Sequence, residues 1–432
     1  MNRRDFLAAS AALAAPFSWA NDRPLTSPPK RNEPAKRKLA VVTTVYTYLS
    51  HAYHIAGRFI NGYARADGHH FPDAGIASFF VEQVGPKDLS REIAKAHNVR
   101  ISDSVADALT LGTGKLAVDG VLLIGEHGDY PYNPKGQKLY PRYELFQKVV
   151  DVFRASGRVV PVFNDKHLSY DRTHGFEMVA TAKKMGFPMM AGSSLPVTWR
   201  RPELELPLGV KLKEAMVVSR GELEIYGIHA LEALQCMVER RLKGQQGVAA
   251  VEYLEGDAVW KAGDAGRWSW DLLEHCLGRS TSRNVGDLRE NCTHFKPPVT
   301  WGYAAAPSPR AFLIEYRDGL KETVLQLDGH VADETFAATV EGEKKPVSTL
   351  FWLPPPPGAA FLEALAIRAE EFMATGKSPY PVERTMLTGG VLDWALESRV
   401  RKKRLETPDL DVSYDPPADS GFMRGTYERP AR

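Results

Sequence analysis

The stretch Val118-Asp-Gly-Val-Leu-Leu-Ile-Gly-Glu-His-Gly-Asp129 decides the fold. Gly120–Ile124 is an unbroken apolar run, and a strand is apolar at every residue when both of its faces are covered. Glu126, His127 and Asp129 follow at once, so polar groups gather where that strand ends. Upstream, Leu39-Ala-Val-Val42 and Ile76-Ala-Ser-Phe-Phe-Val81 read as further strands. Downstream, so do Arg158-Val-Val-Pro-Val-Phe163 and Pro188-Met-Met-Ala191.

Helical patterns lie between them. Tyr143–Ser156 sets Phe146, Val149, Val150 and Phe153 on one side, with Gly157 as the stop. Asp88 and Asp103 are placed to cap helices carrying Leu89 and Ile93, and Val105 and Leu109. Phe176, Val179 and Ala180 mark another helix, ended by Gly186. Strands alternating with helices imply right-handed βαβ units, hence a doubly wound, Rossmann-like parallel sheet over residues 37–200.

After Arg200 the pattern changes. Ala215–Ser219, Ala249–Leu254, Ala311–Tyr316, Thr323–Leu327 and Thr335–Val340 read as strands, and Asp318-Gly319 suits a hairpin. Helices over His229–Arg241 and Ala359–Ala374 complete an α+β domain, 201–412, with an open, mainly antiparallel sheet. It is expected to carry substrate or subunit contacts, so a homo-oligomer is possible. Residues 413–432 read as a tail.

Composition excludes several classes. Of 432 residues, 44% are hydrophobic and 25% charged, a balance that a globular chain has and a disordered one lacks. Lys+Arg is 55 against Asp+Glu 53, so there is no basic excess for nucleic acid. The run from Arg399 to Arg404 lacks interleaved aromatics and reads as a solvated helix end. Cys236, Cys276 and Cys292 can make neither a disulfide framework nor a zinc knuckle. No segment reaches 18 uninterrupted apolar residues, so stable membrane insertion is not expected.

The amino terminus reads as an address. Arg3-Arg4, the alanine-rich stretch Leu7–Phe17 and Ser18-Trp19-Ala20 resemble a twin-arginine export signal over residues 1–20. Residues 21–36 are a polar, Pro-rich stretch that reads as a disordered tether. The expectation is export by the twin-arginine machinery and a periplasmic mature protein.

The layout of a doubly wound domain followed by an α+β sheet domain resembles the glucose–fructose oxidoreductase / inositol dehydrogenase (Gfo/Idh/MocA) family across about residues 38–412. Val118–Ile124 is similar to that family's fourth-strand signature. Phe163-Asn-Asp-Lys-His-Leu168 is similar to its Glu-Lys-Pro loop, with Lys166 on the lysine. Gly227-Ile-His229 is similar to its Gly-x-His helix start. The resemblance implies an NAD or NADP cofactor, a carbohydrate-like substrate, and Lys166 and His229 beside the carbon that loses hydride. Three departures stand out, the first being His167 where the family's loop has proline. The turn after the first strand, Thr43-Thr-Val-Tyr-Thr-Tyr-Leu-Ser-His51, has none of the glycines that admit a pyrophosphate. Ile225 stands where the family has an aspartate, with Glu224 next to it.

In a doubly wound sheet ligands bind outside the carboxyl ends of the strands. Those ends carry Thr43 and Thr44, Glu82, Glu126 and His127, Asp165 and Lys166, then Ser193 and Ser194. Thr43, Thr44, Glu82 and Glu126 are therefore the cofactor-binding candidates. Lys166, His229, Asp165 and His127 are the catalytic ones, for hydrogen-bonding and deprotonating a hydroxyl. The aromatic loop from Asp129 to Gly136 is either a substrate wall or a rigid proline turn. His51 and His54 lie three apart after the first strand, and His69-His70 are expected in solvent. The pairs Glu126/His127 and Asp165/His167 suit a divalent ion but lack a fixed ligand motif, and no metal is expected. Three functions fit these residues: an exported sugar or polyol oxidoreductase, a cofactor-free or metal-assisted lyase, hydratase or isomerase on the same scaffold, and a non-catalytic periplasmic sugar-binding protein.

Overall fold

The structure is a computed structural model that describes residues 31, 33–65, 68–298 and 306–425. The export-signal reading, and most of the tether, fall outside those residues.

The first half runs β1 (Arg37–Thr43), α1 (His51–Asn61), β2 (Tyr63–Arg65), β3 (Gly68–His70), β4 (Ala74–Val81), α2 (Ser90–His97), β5 (Arg100–Ser102) and α3 (Val105–Thr110). It continues with β6 (Gly120–Ile124), α4 (Arg142–Ser156), β7 (Val162–Asp165), α5 (Arg172–Met185) and β8 (Met189–Gly192). Six of these strands form a wholly parallel sheet in the order β5-β4-β1-β6-β7-β8. The order reverses at β1 and β6, the place where such folds bind ligands.

Alternation along β1 shows why both sheet faces are apolar. Leu39 and Val41 pack with Ile55, Phe59, Phe79, Leu365 and Phe372 on one side. Ala40 and Val42 pack with Leu123, Phe146, Val149, Phe153 and Val179 on the other. Each fully buried Leu, Val or Phe contributes about 1.5–3 kcal/mol. Ser50 and Asp171 cap α1 and α5, while Gly157 and Gly186 end α4 and α5 in the left-handed region. Two expected caps shift by one residue. Ser104 rather than Asp103 caps α3, and α2 follows Leu89, with Asp88 accepting from the Ser90 hydroxyl at 2.7 Å.

The second half runs β9 (Trp199–Arg201), β10 (Leu212–Ser219), α6 (Leu223–Val238), β11 (Val248–Glu255), α7 (Asp257–Asp264), α8 (Trp270–Leu277) and α9 (Leu288–His294). Then come β12 (Arg310–Tyr316), β13 (Lys321–Gln326), β14 (Glu334–Val340), β15 (Val347–Trp352), α10 (Ala360–Thr375), α11 (Val382–Arg401) and β16 (Leu405–Glu406). Eight strands form one sheet, β16-β11-β12-β13-β10-β14-β15-β9, antiparallel throughout except for β10 with β13. Asp318-Gly319 makes the β12–β13 hairpin.

Three placements differ from the sequence reading. The second sheet is covered on both faces: Val217 packs with α6 and α11, while Met216 and Val218 pack under Trp260, Trp268 and Leu272 of α7–α9. Helix α10 leaves that sheet and lies on the first, its Leu362, Leu365 and Phe372 beside α1. His69 is exposed as expected, whereas His70 is half-buried. His70 Nε2 bonds Glu370 at 2.8 Å and His69 Nε2 bonds the Asn61 carbonyl. Beyond Val412, Tyr414 and Phe422 are buried, and the Tyr414 hydroxyl donates to Glu239 at 2.9 Å. All three cysteines are buried and free. Among the described residues no helix is long and apolar enough to cross a membrane.

Glu322 on β13 is a buried carboxyl. Burial pushes it up to about 8, and Arg241 and Tyr316 only partly offset that. The folded state therefore holds its proton more tightly than the unfolded one, whose value is about 4.3. Stability falls as pH rises between these values. Glu322→Gln should be more stable than wild type by on the order of 2 kcal/mol at about pH 8, the gain vanishing toward pH 5, as read by urea unfolding.

Candidate active site

Three strand ends and the helices α1 and α6 converge on a cavity of about 580 Å3. β6 delivers Glu126 and His127, β7 delivers Lys166, and β8 delivers Ser194. His229 enters from α6, and His51 from the first turn of α1. On the facing wall, the second sheet supplies Glu334 of β14 and Trp352 of β15, the loop after β10 supplies Arg220, and helices α6 and α10 supply Tyr226 and Phe361. Aromatic faces beside polar groups suit a polyhydroxylated ring.

Lys166 Nζ donates to Glu126 Oε1 at 2.9 Å, and Arg142 Nη2 donates to Glu126 Oε2 at 2.5 Å. All three side chains are at most 2% exposed. Burial alone would raise the Glu126 carboxyl. The Lys166 and Arg142 cations outweigh it and hold that carboxyl well below the usual range. Lys166 Nζ is thus held against Glu126 at the cavity wall.

Two non-glycine residues here have left-handed backbones, His127 at φ 68° and Lys166 at φ 56°. Such conformations cost about 1–3 kcal/mol each and gather at functional sites. At Lys166 the bend sends neighbouring side chains to different partners. Asp165 Oδ2 meets His51 Nδ1 at 2.7 Å, while Lys166 takes Glu126. Asp165 Oδ1 is buried without a hydrogen bond.

The imidazoles are tuned by burial. His127 is pushed down to about 4 by burial and by His51. His229 is pushed well below its ordinary value by burial and by Lys166, so it is neutral. Its Nδ1 shares a 2.6 Å hydrogen bond with Ser193 Oγ. His167 Nε2 lies 3.1 Å from Glu224 Oε1 behind the cavity, and burial and Arg142 lower its basicity. Glu224 is thus turned away from the substrate side, and Ile225 lines the cavity in its stead.

Of the catalytic candidates, Lys166, His229 and His127 line the cavity, and Asp165 stands directly behind His51. Of the cofactor candidates, only Glu126 does. Thr43 and Thr44 are fully buried, with hydroxyls donating to the carbonyls of Ile124 and Glu126, both at 2.8 Å. Glu82 accepts from the Tyr130 hydroxyl at 2.5 Å, outside the cavity. Arg142, Arg220, Tyr226, Trp352 and Phe361 were not foreseen. Only the strand-end rule could have pointed to this neighbourhood, and these five lie on the helices α4, α6 and α10, on the loop after β10 and on the second sheet. Among the described residues no group of three or more His, Cys, Asp or Glu is arranged to hold a metal ion.

No protein-family model matches the chain, and no curated protein does. Solved structures do. GenD2 from gentamicin A biosynthesis, in complex with NAD, is 12% identical with a TM-score of 0.54, covering 88% of this chain and 99% of that one. A probable dehydrogenase from Thermotoga maritima is 12% identical at 0.51, covering 86% and 99%. The WlbA dehydrogenase from Chromobactrium violaceum, with NADH and UDP-GlcNAcA, is 12% identical at 0.50, covering 89% and 99%. The chain has the two-domain fold of these dehydrogenases.

A dinucleotide in this fold crosses the crevice at β1 and β6, its pyrophosphate on the first turn. The chain after β1 lies down over the end of β4 instead of turning tightly. Leu89 N–H donates to the Tyr46 carbonyl at 2.9 Å, and Thr47 bridges to Asp88. Tyr46 is buried against Phe79, ring centroids 5.1 Å apart. The residues do not build the glycine turn that seats a pyrophosphate, while His127 and Ser194 line the cavity at the neighbouring strand ends.

Glu126→Gln should cost about 3–5 kcal/mol, because it leaves two buried cations without a counter-charge. Lys166→Met should cost less, since Arg142 still pairs with Glu126. Because the Glu126 value is depressed, its contribution is present above the ordinary carboxylate range and lost as pH falls through the depressed value. Urea unfolding across pH should therefore show a flatter acid limb in Glu126→Gln.

Proposed function

We propose that the chain is an oxidoreductase acting at a hydroxyl-bearing carbon of a sugar- or polyol-like molecule held in this cavity. The observation that carries the reading is the charged Lys166, fixed by Glu126, sharing the cavity with neutral His229. The Lys166 ammonium would hydrogen-bond the reacting oxygen and lower the cost of its alkoxide. His229, with Nδ1 held by Ser193, keeps its other ring nitrogen for a second substrate hydroxyl. Positioned proton transfer of this kind contributes about 10²–10⁴-fold. Trp352, Phe361 and Tyr226 offer faces for an apolar ring side.

Support comes also from the fold, shared with dehydrogenases solved with NAD or NADH. The implied cofactor is NAD or NADP, which accepts or returns hydride when bound. His127 and Ser194 would line its reacting end. We place the protein in the periplasm, on the strength of Arg3-Arg4 and the alanine-rich stretch after them.

The closed turn at Tyr46 and Thr47 favours a second reading, a lyase or isomerase that kept the scaffold and uses the same proton-handling residues without a nucleotide. One experiment separates the two. The protein purified in native form should release NAD(H) or NADP(H) on denaturation, read by absorbance and mass spectrometry. Failing that, it should bind one of them at micromolar concentration. Protein with neither property that still turns over a polyol would replace the first reading by the second.

A further inference from the structure

We propose that His51 and Asp165 form a proton-transfer dyad opening on the cavity, with His51 Nε2 as the atom that takes and returns the substrate's hydroxyl proton. This deepens the oxidoreductase reading and rests on it.

His51 is the first residue of α1, the turn that offers backbone N–H groups to phosphate in a dinucleotide fold. Here the same turn presents an imidazole. Its partner Asp165 ends β7, 114 residues away, and the 2.7 Å contact spans the reversal point of the sheet. An ionised carboxylate can only accept, so in the neutral ring Nδ1 carries the hydrogen and Nε2 keeps the lone pair. The Asp165 side chain is 1% exposed and its other oxygen bonds nothing, so this carboxylate serves His51 alone. The His51 side chain is 18% exposed and lines the cavity with Lys166 and His229.

A bridge that merely fixed α1 would have little to add. Ser50 already accepts from Tyr53 N–H, and Ile55, Phe59 and Ile60 bury the helix's apolar face. The neighbouring His127 ring, 5.2 Å away, is kept neutral and adds no competing charge. In the step itself the hydroxyl O–H bond breaks and the Nε2–H bond forms. The resulting imidazolium faces Asp165, and the alkoxide faces Lys166.

The test uses the full chain, wild type and the Asp165→Asn and His51→Gln variants. Diethylpyrocarbonate should modify His51 about tenfold or more faster than buried His167, with mass spectrometry locating the label. In Asp165→Asn an amide N–H can donate to Nδ1 and move the hydrogen to Nε2. Labelling of His51 should then slow by about tenfold or more, and ring nitrogen resonances should show the changed tautomer. With NAD+ and a panel of myo-inositol, D-glucose and D-glucuronate, His51→Gln should lower kcat by about 10²–10⁴-fold while KM stays within about threefold. A wild-type His51 that resists the reagent, or that carries its hydrogen on Nε2, overturns the dyad. So does a His51→Gln enzyme of undiminished kcat. If no panel member is turned over by wild type, the oxidoreductase reading fails by itself and the labelling alone decides the dyad.

Discussion

Lys166, Glu126 and Arg142 hold the centre of this molecule. Taking a carboxylate out of water costs several kcal/mol, and only excellent geometry repays it. Glu126 meets both cations at hydrogen-bond distance, one on each oxygen. The three residues come from the ends of β6 and β7 and the start of α4, so the parallel sheet must close correctly for the charges to meet. The cavity wall inherits its fixed positive charge from that requirement.

Around this centre the fold has moved its polar groups. Where a dinucleotide fold has a tight glycine turn, this chain has a longer loop whose Tyr46 is sunk beside Phe79. The helix that follows contributes an imidazole to the cavity. The helices α7–α9 cover the outer face of the second sheet, and the loop between α8 and α9 brings Thr281 and Ser282 to the cavity edge. Asp333 holds that loop by accepting from the Thr281 and Ser282 N–H groups at 2.7 and 3.1 Å.

Much of the fold was legible because its signals are local. Gly120–Ile124 reads as a doubly covered strand from five residues, and Asp318-Gly319 reads as a hairpin from two. Of helix α11 only the basic end at Arg399 was legible: Gly389-Gly390 interrupts the rest, and the reason is tertiary. A Cβ at Gly390 would lie 2.5 Å from Leu410 Cδ2, so the Leu410 side chain packs into the space that glycine leaves. Helices α7–α9 are too short to show a period. In the site, Lys166 and His229 could be named from their motifs, whereas Thr43 and Thr44 misled as cavity-facing groups because strand-end hydroxyls equally satisfy nearby carbonyls. The His51–Asp165 contact depends on strand order, which no local pattern encodes.

The most direct test of the central claim is the steady-state rate of Lys166→Met against wild type, on whichever polyol or sugar wild type turns over, with folding confirmed by circular dichroism. The account predicts that kcat falls by about 10²-fold or more while the fold is kept. A Lys166→Met protein that is folded and keeps a wild-type kcat would contradict it, and would move the reaction out of this cavity.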